Sequence, residues 1–73
     1  MQHFTRIKEL RLEAGYTQKE MADMLSVSER TYRGYENGEH TVYSDVFIKL
    51  TEIFNVTCDY LAGISDDRYY LAP

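Results

Sequence analysis

The chain has 73 residues, 44% hydrophobic and 27% charged, with a net charge of −4 and a pI near 5.0, which allows one small globular domain and excludes a disordered chain. Cys58 is the only cysteine, so no intrachain disulfide can form, and the scatter of His3, His40 and Cys58 excludes a zinc cage. No apolar run approaches the length that crosses a bilayer and no signal-peptide core follows Met1, while a lone thiol suits a reducing cytoplasm.

Phe4, Ile7, Leu10, Arg11 and Ala14 recur at helical spacing and predict a first helix, stopped by Gly15 as a left-handed C′ residue. Arg11 falls on the inward arc, and a buried guanidinium needs a carboxylate from elsewhere in the fold. Thr17-Gln18-Lys19-Glu20 reads as a capping box that opens a second helix, with Met21, Ala22, Met24 and Leu25 on its buried side. After the short break at Ser26-Val27, Ser28 caps a third helix. Val27, Thr31, Tyr32 and Tyr35 face inward, and Glu29, Arg30, Arg33 and Gly34 face outward. Asn37-Gly38 closes that helix. A polar loop from Glu39 to Tyr43 leads to a fourth helix, capped by Ser44-Asp45, with the stripe Val46, Phe47, Leu50, Ile53 and Phe54. Thr57 caps a brief fifth helix carrying Tyr60 and Leu61, ended by Gly63. The Tyr69-Tyr70-Leu71 cluster near the end is apolar enough to fold back on the domain or to pad a contact with a second copy.

The break between the second and third helices is too short for a long antiparallel hairpin and predicts two short helices crossing steeply, which is the helix-turn-helix layout. The net charge conceals an uneven distribution. Residues 1–16 sum to +1, residues 17–37 to −1 and residues 38–73 to −4, so the excess acid sits in the C-terminal half.

The run from Thr17 to Gly38 resembles the Cro and phage-repressor-like regulators of bacteria, the XRE family. Arg6-Ile7-Lys8-Glu9-Leu10-Arg11 looks like the family's first helix, and Phe54 to Gly63 looks like its closing helix, so the likeness extends over about residues 4–67. The resemblance implies an all-α, compact, five-helix lambda-repressor-like DNA-binding domain over residues 1–67, with a C-terminal tail at 68–73. It implies sequence-specific binding of double-stranded DNA, with the third helix (about residues 28–37) in the major groove. It further implies a transcriptional regulator, a repressor acting as a homodimer on a palindromic operator in the cytoplasm, with a protein antagonist as one route of control.

Residue by residue, Gln18 matches a position that contacts the DNA backbone and braces the reading helix. Ala22 matches the small residue where the two helices nearly touch. Glu36 matches the partner of the first-helix Arg, which predicts a buried Arg11–Glu36 ion pair. Three positions depart from the family pattern. Ser26 stands where Gly is common, at a cost of roughly 1 kcal/mol if the backbone is left-handed. Gly34 stands at an outward reader position and loosens the helix by roughly 0.5–1 kcal/mol. The usually basic loop is Glu39-His40-Thr41-Val42-Tyr43 here.

Arg30 and Arg33 are the expected base or groove contacts, since a guanidinium can fork onto guanine O6 and N7. Glu29 could accept from cytosine N4, although a carboxylate in a first helical turn is also plain dipole chemistry. Thr17, Gln18, Lys19, Ser28, Asn37 and Thr41 are the expected phosphate contacts, beside their capping and loop roles. No metal, cofactor, membrane or small-molecule ligand is expected. Catalysis is not expected either, because no nucleophile stands at motif spacing from a base and no Gly-rich phosphate loop is present. The alternative reading is a protein-interaction module, antitoxin- or antagonist-like, favoured by the acidic balance, Gly34 and the acidic loop.

Overall fold

A computed structural model describes residues 4–69, and among them the secondary structure is entirely helical. The elements are α1 (Thr5–Ala14), α2 (Gln18–Leu25), α3 (Glu29–Asn37), α4 (Ser44–Phe54) and α5 (Cys58–Leu61). This is the five-helix, all-α architecture that the sequence predicts. Helix α3 packs against both α2 and α1, α4 against α1, and α5 against α4.

Local chemistry sets most of the boundaries. Gly15 (φ +81°) turns α1 off in the left-handed region, and the Tyr16 N–H returns to the Arg11 carbonyl at 3.1 Å. The capping box on α2 is complete: Thr17 Oγ1 accepts from the Glu20 N–H at 3.0 Å, and Glu20 Oε1 accepts from the Thr17 N–H at 2.8 Å. Ser28 Oγ accepts from the Thr31 N–H at 3.1 Å and starts α3. Thr57 does the same for α5, accepting from the Tyr60 N–H at 2.9 Å. Ser26 carries the turn between α2 and α3 at φ +58°, a left-handed backbone that a side chain disfavours.

The core is built on Ile7, Met21, Tyr32, Leu50 and Leu61, each almost wholly withdrawn from solvent. Tyr32 and Tyr35 meet edge to face at 6.3 Å, and Phe4 packs its ring on Phe47 at 5.3 Å, joining the start of α1 to α4. The tail after α5 is tied back to α1. Arg6 donates to the carbonyls of Tyr60 (2.8 Å) and Ser65 (2.6 Å) and to Asp66 Oδ1 (2.7 Å). Arg68 donates to both carboxylate oxygens of Glu13, and both guanidiniums lie over the Tyr60 ring, at 4.1 and 5.3 Å. Tyr69 is largely exposed, and the fold-back expected of Tyr70-Leu71 lies outside the described residues.

The packing departs from the sequence pattern at four places. Met24 and Ala14 are exposed: α2 buries only the narrow stripe Met21, Ala22 and Leu25, and α1 buries only Ile7, Leu10 and Arg11. Val42 lies in the loop expected to be polar, yet the chain between α3 and α4 carries it into the core. The expected Ser44-Asp45 cap does not form. Ser44 is already helical, the N-cap residue is Tyr43, and no side-chain cap bond is made.

Replacing Ser26 with Gly removes the left-handed penalty without touching a core contact. Ser26→Gly is expected to raise stability by up to about 1 kcal/mol, which is about 4–8 °C in a domain of this size. Thermal unfolding followed by circular dichroism checks it, and an unchanged or lower midpoint contradicts it.

Candidate nucleic-acid interface

Three residues, 26–28, separate α2 from α3, and the small Ala22 side chain, only 2% exposed, lets the two helices pack closely. Helix α3 turns Tyr32, Tyr35 and Glu36 inward and leaves Glu29, Arg30, Arg33 and Asn37 on its exposed side.

The orientation of that side is held by the predicted ion pair. Arg11 Nε donates to Glu36 Oε2 at 2.6 Å, and Nη2 reaches Oε1 at 3.3 Å. Both side chains are buried, at 9% and 5% exposure. Arg11 Nη1 also donates to the Tyr16 carbonyl at 3.0 Å, so the guanidinium stitches the end of α1 to the end of α3. Gln18 completes the group, its Nε2 donating to Glu36 Oε1 at 3.1 Å. Burial alone would push the Glu36 carboxyl up, but hydrogen bonds from Arg11 and Gln18 and the Arg11 charge outweigh it, holding the group below the usual carboxylate range. The hydrogen bond to Glu36 holds Arg11 above its ordinary value against its own burial. The Tyr32 hydroxyl, raised chiefly by burial, faces the same pair.

The expected DNA contacts occupy distinct environments. Arg30 is exposed, and no hydrogen bond or ion pair among the described residues engages it. Arg33 Nη1 lies 3.1 Å from Glu29 Oε2 across one helical turn, with both side chains about half exposed. Lys19 sits 3.5 Å from Asp23 in the same i,i+4 relation, still more exposed. Such surface pairs contribute about 0–1 kcal/mol, so either cation can change partner at little cost. Gln18, Arg33 and Asn37 line one groove, whose far wall is Lys8 and Leu12 of α1. Thr17 and Ser28 spend their hydroxyls on caps, Asn37 Oδ1 accepts from the Glu39 N–H at 3.0 Å, and Thr41 is exposed in the following loop.

One orientation differs from the sequence reading. Gly34 belongs to the outward face of α3 but is buried, because the His40 side chain folds back and covers it. Lys8 is a further cation lining the same groove as Arg33, together with Glu9, that the sequence reading passed over. It lies off the apolar stripe of α1, and only the crossing of α1 over α3 brings it to the groove. Among the described residues, no cluster of His, Cys, Asp or Glu could hold a metal, and no helix is long and apolar enough to cross a membrane.

Comparison with known proteins agrees with this geometry. The pattern of the helix-turn-helix family matches residues 7–61. The chain is 41% identical over 58 residues to the HTH-type transcriptional regulator ImmR of Bacillus subtilis, covering 80% of this chain and 46% of that protein. It is 34% identical over 58 residues to the regulator AnsR of the same organism, covering 80% and 50%. It is 36% identical over 56 residues to YonR, an SPbeta prophage-derived uncharacterised HTH-type transcriptional regulator, covering 77% and 52%. The chain thus spans about half the length of these curated relatives. No solved structure matches it. The chain belongs to the helix-turn-helix family, of the XRE type.

Removing one partner of a buried ion pair strands the other charge, so Glu36→Ala is expected to cost about 3–5 kcal/mol in urea unfolding. The paired replacement Arg11→Met with Glu36→Leu is expected to recover that loss, since an apolar pair carries no desolvation penalty. Glu36 has a lowered pKa in the folded state, so its contribution is complete above the unfolded carboxylate value near 4.5 and is lost as pH falls through the lower folded value. The acid limb of the stability profile should therefore be flatter in the double replacement than in wild type; equal limbs would contradict the assignment.

Proposed function

We propose that this helix-turn-helix chain binds duplex DNA by laying α3 in the major groove and acts as a transcriptional repressor. The observation that carries the reading is the outward side of α3: Arg30 exposed with no partner among the described residues, and Arg33 one turn away in a pair weak enough to exchange, on a helix whose inward side is held by Arg11 and Glu36. Arg30 and Arg33 approach base edges, where a forked guanidinium contact gives about 1–3 kcal/mol of discrimination. Glu29 releases Arg33 on binding and is itself available to a cytosine N4 amine.

Phosphates are met around the rim. Gln18, Thr17 and Lys19 lie at the start of α2 and Ser28 at the start of α3, where free amides and the helix dipole favour anions. Asn37 and Thr41 meet the backbone at the far end of α3. A domain this small makes few contacts, so we infer a homodimer whose two α3 helices stand about 34 Å apart on a palindromic operator. The names of the relatives, all transcriptional regulators, support this reading. Action in the cytoplasm and control by a protein antagonist are part of the same proposal.

The competing reading, an antitoxin- or antagonist-like interaction module, draws on the net charge of −4 and on the carboxylates that already face Lys19 and Arg33. The two readings part on Arg30 and Arg33. Enriching bound duplexes from a random pool is expected to return a palindrome, with an affinity that falls at least about tenfold between 50 and 200 mM salt. Charge reversal of both, Arg30→Glu with Arg33→Glu, should abolish that binding in a mobility-shift titration while the circular dichroism stays helical. Binding unchanged by the reversal sinks the groove model and favours the interaction module.

A further inference from the structure

We propose that His40, a loop residue, reads a base from the face of α3, seated on Gly34 as the side chain that α3 itself lacks there. Gly34 stands four residues after Arg30, so the two share one outward ridge of the helix. The position is nonetheless buried, and its cover is the imidazole of His40. A Cβ built on Gly34 would overlap His40 Cδ2 and would stand 2.7 Å from Cγ and 3.1 Å from Cβ, inside ordinary contact. Any side chain at position 34 would displace the ring from this seat, so glycine keeps the seat open, despite weakening the helix interior.

The loop is folded to deliver that ring. Gly38 turns the chain at φ +85°, Asn37 Oδ1 accepts from the Glu39 N–H at 3.0 Å, and the His40 N–H reaches back to the Gly34 carbonyl at 3.1 Å. Backbone and side chain of His40 thus both anchor on Gly34. The residue remains exposed, and no hydrogen bond among the described residues engages its ring nitrogens. An imidazole N–H is a donor that suits purine N7 or guanine O6 on the major-groove edge. In this account Gly34 is a positioning residue and His40 the contact. The inference rests on the DNA-binding reading above.

The test uses the enriched duplex and its single-base variants, titrated with wild type, His40→Ala, Gly34→Ala, the double variant and Arg30→Ala. His40→Ala is expected to weaken the best duplex about tenfold and to erase a purine preference at one position of each half-site. Gly34→Ala should reproduce that loss by displacing the ring, and the double variant should be no weaker than either single one. The Gly34 Hα resonance should move in His40→Ala, which reports the stacked ring without DNA. If Arg30→Ala weakens binding while His40→Ala keeps the wild-type order of preference at every position, the His40 inference falls and the groove reading stands. Independent, multiplying effects of the two substitutions overturn it as well. If wild type binds no duplex, both fall together.

Discussion

The architecture depends on one buried contact, the fork between Arg11 and Glu36. Two charges withdrawn from water are a poor source of net stability, because the loss of hydration roughly cancels their attraction. What the fork supplies is geometry. Arg11 is held at the end of α1, Glu36 at the end of α3, and Gln18 at the start of α2 bonds to the same carboxylate. Three helices therefore meet at one point, and the rotation of α3 about its own axis is set there. That rotation decides which side chains face outward. A slip of about one residue, 100° around the helix, would carry Arg30 and Arg33 out of register with the rim of α2.

Around that point the chain uses inexpensive local devices. Hydroxyl caps start α2, α3 and α5, and left-handed residues end α1, α2, α3 and α4. The acidic balance is spent largely away from the α3 face, in the segment from residue 38 onward, where Asp66 binds Arg6. On α1, Glu13 is held by Arg68 of the same C-terminal segment. Most of the net charge of −4 therefore lies outside the helix-turn-helix segment, whose own sum is −1, and the sign of the whole molecule says little about its face toward a partner.

Much of this was legible in the residues themselves. The boundaries of α1, α2, α3 and α5 followed largely from caps and glycines, which act within three or four residues, whereas α4 starts without the expected Ser44-Asp45 cap and ends at Asn55. Arg11 on an apolar stripe demanded an acid, and the resemblance pointed to Glu36. The features that escaped are those set by tertiary approach. Val42 reads as part of a polar loop because nothing near it in sequence announces that this loop dips into the core. Met24 reads as core because a short helix shows no periodicity long enough to tell a narrow stripe from a wide one. Gly34 reads as an open, loosened position because nothing local announces that the chain returns to lay His40 on it. Lys8 joins the groove only through the crossing of α1 and α3. No spacing rule separates Glu29 as base contact from Glu29 as partner of Arg33, since one i,i+4 geometry serves both.

The central claim is that the outward side of α3, oriented by the Arg11–Glu36 fork, is the surface that meets DNA. Amide chemical-shift mapping of the labelled chain with its enriched duplex tests this most directly. The account predicts shifts concentrated on Glu29, Arg30, Arg33 and the loop through His40, with a second group at the start of α2. Shifts centred on α4 and α5, with α3 silent, would contradict it.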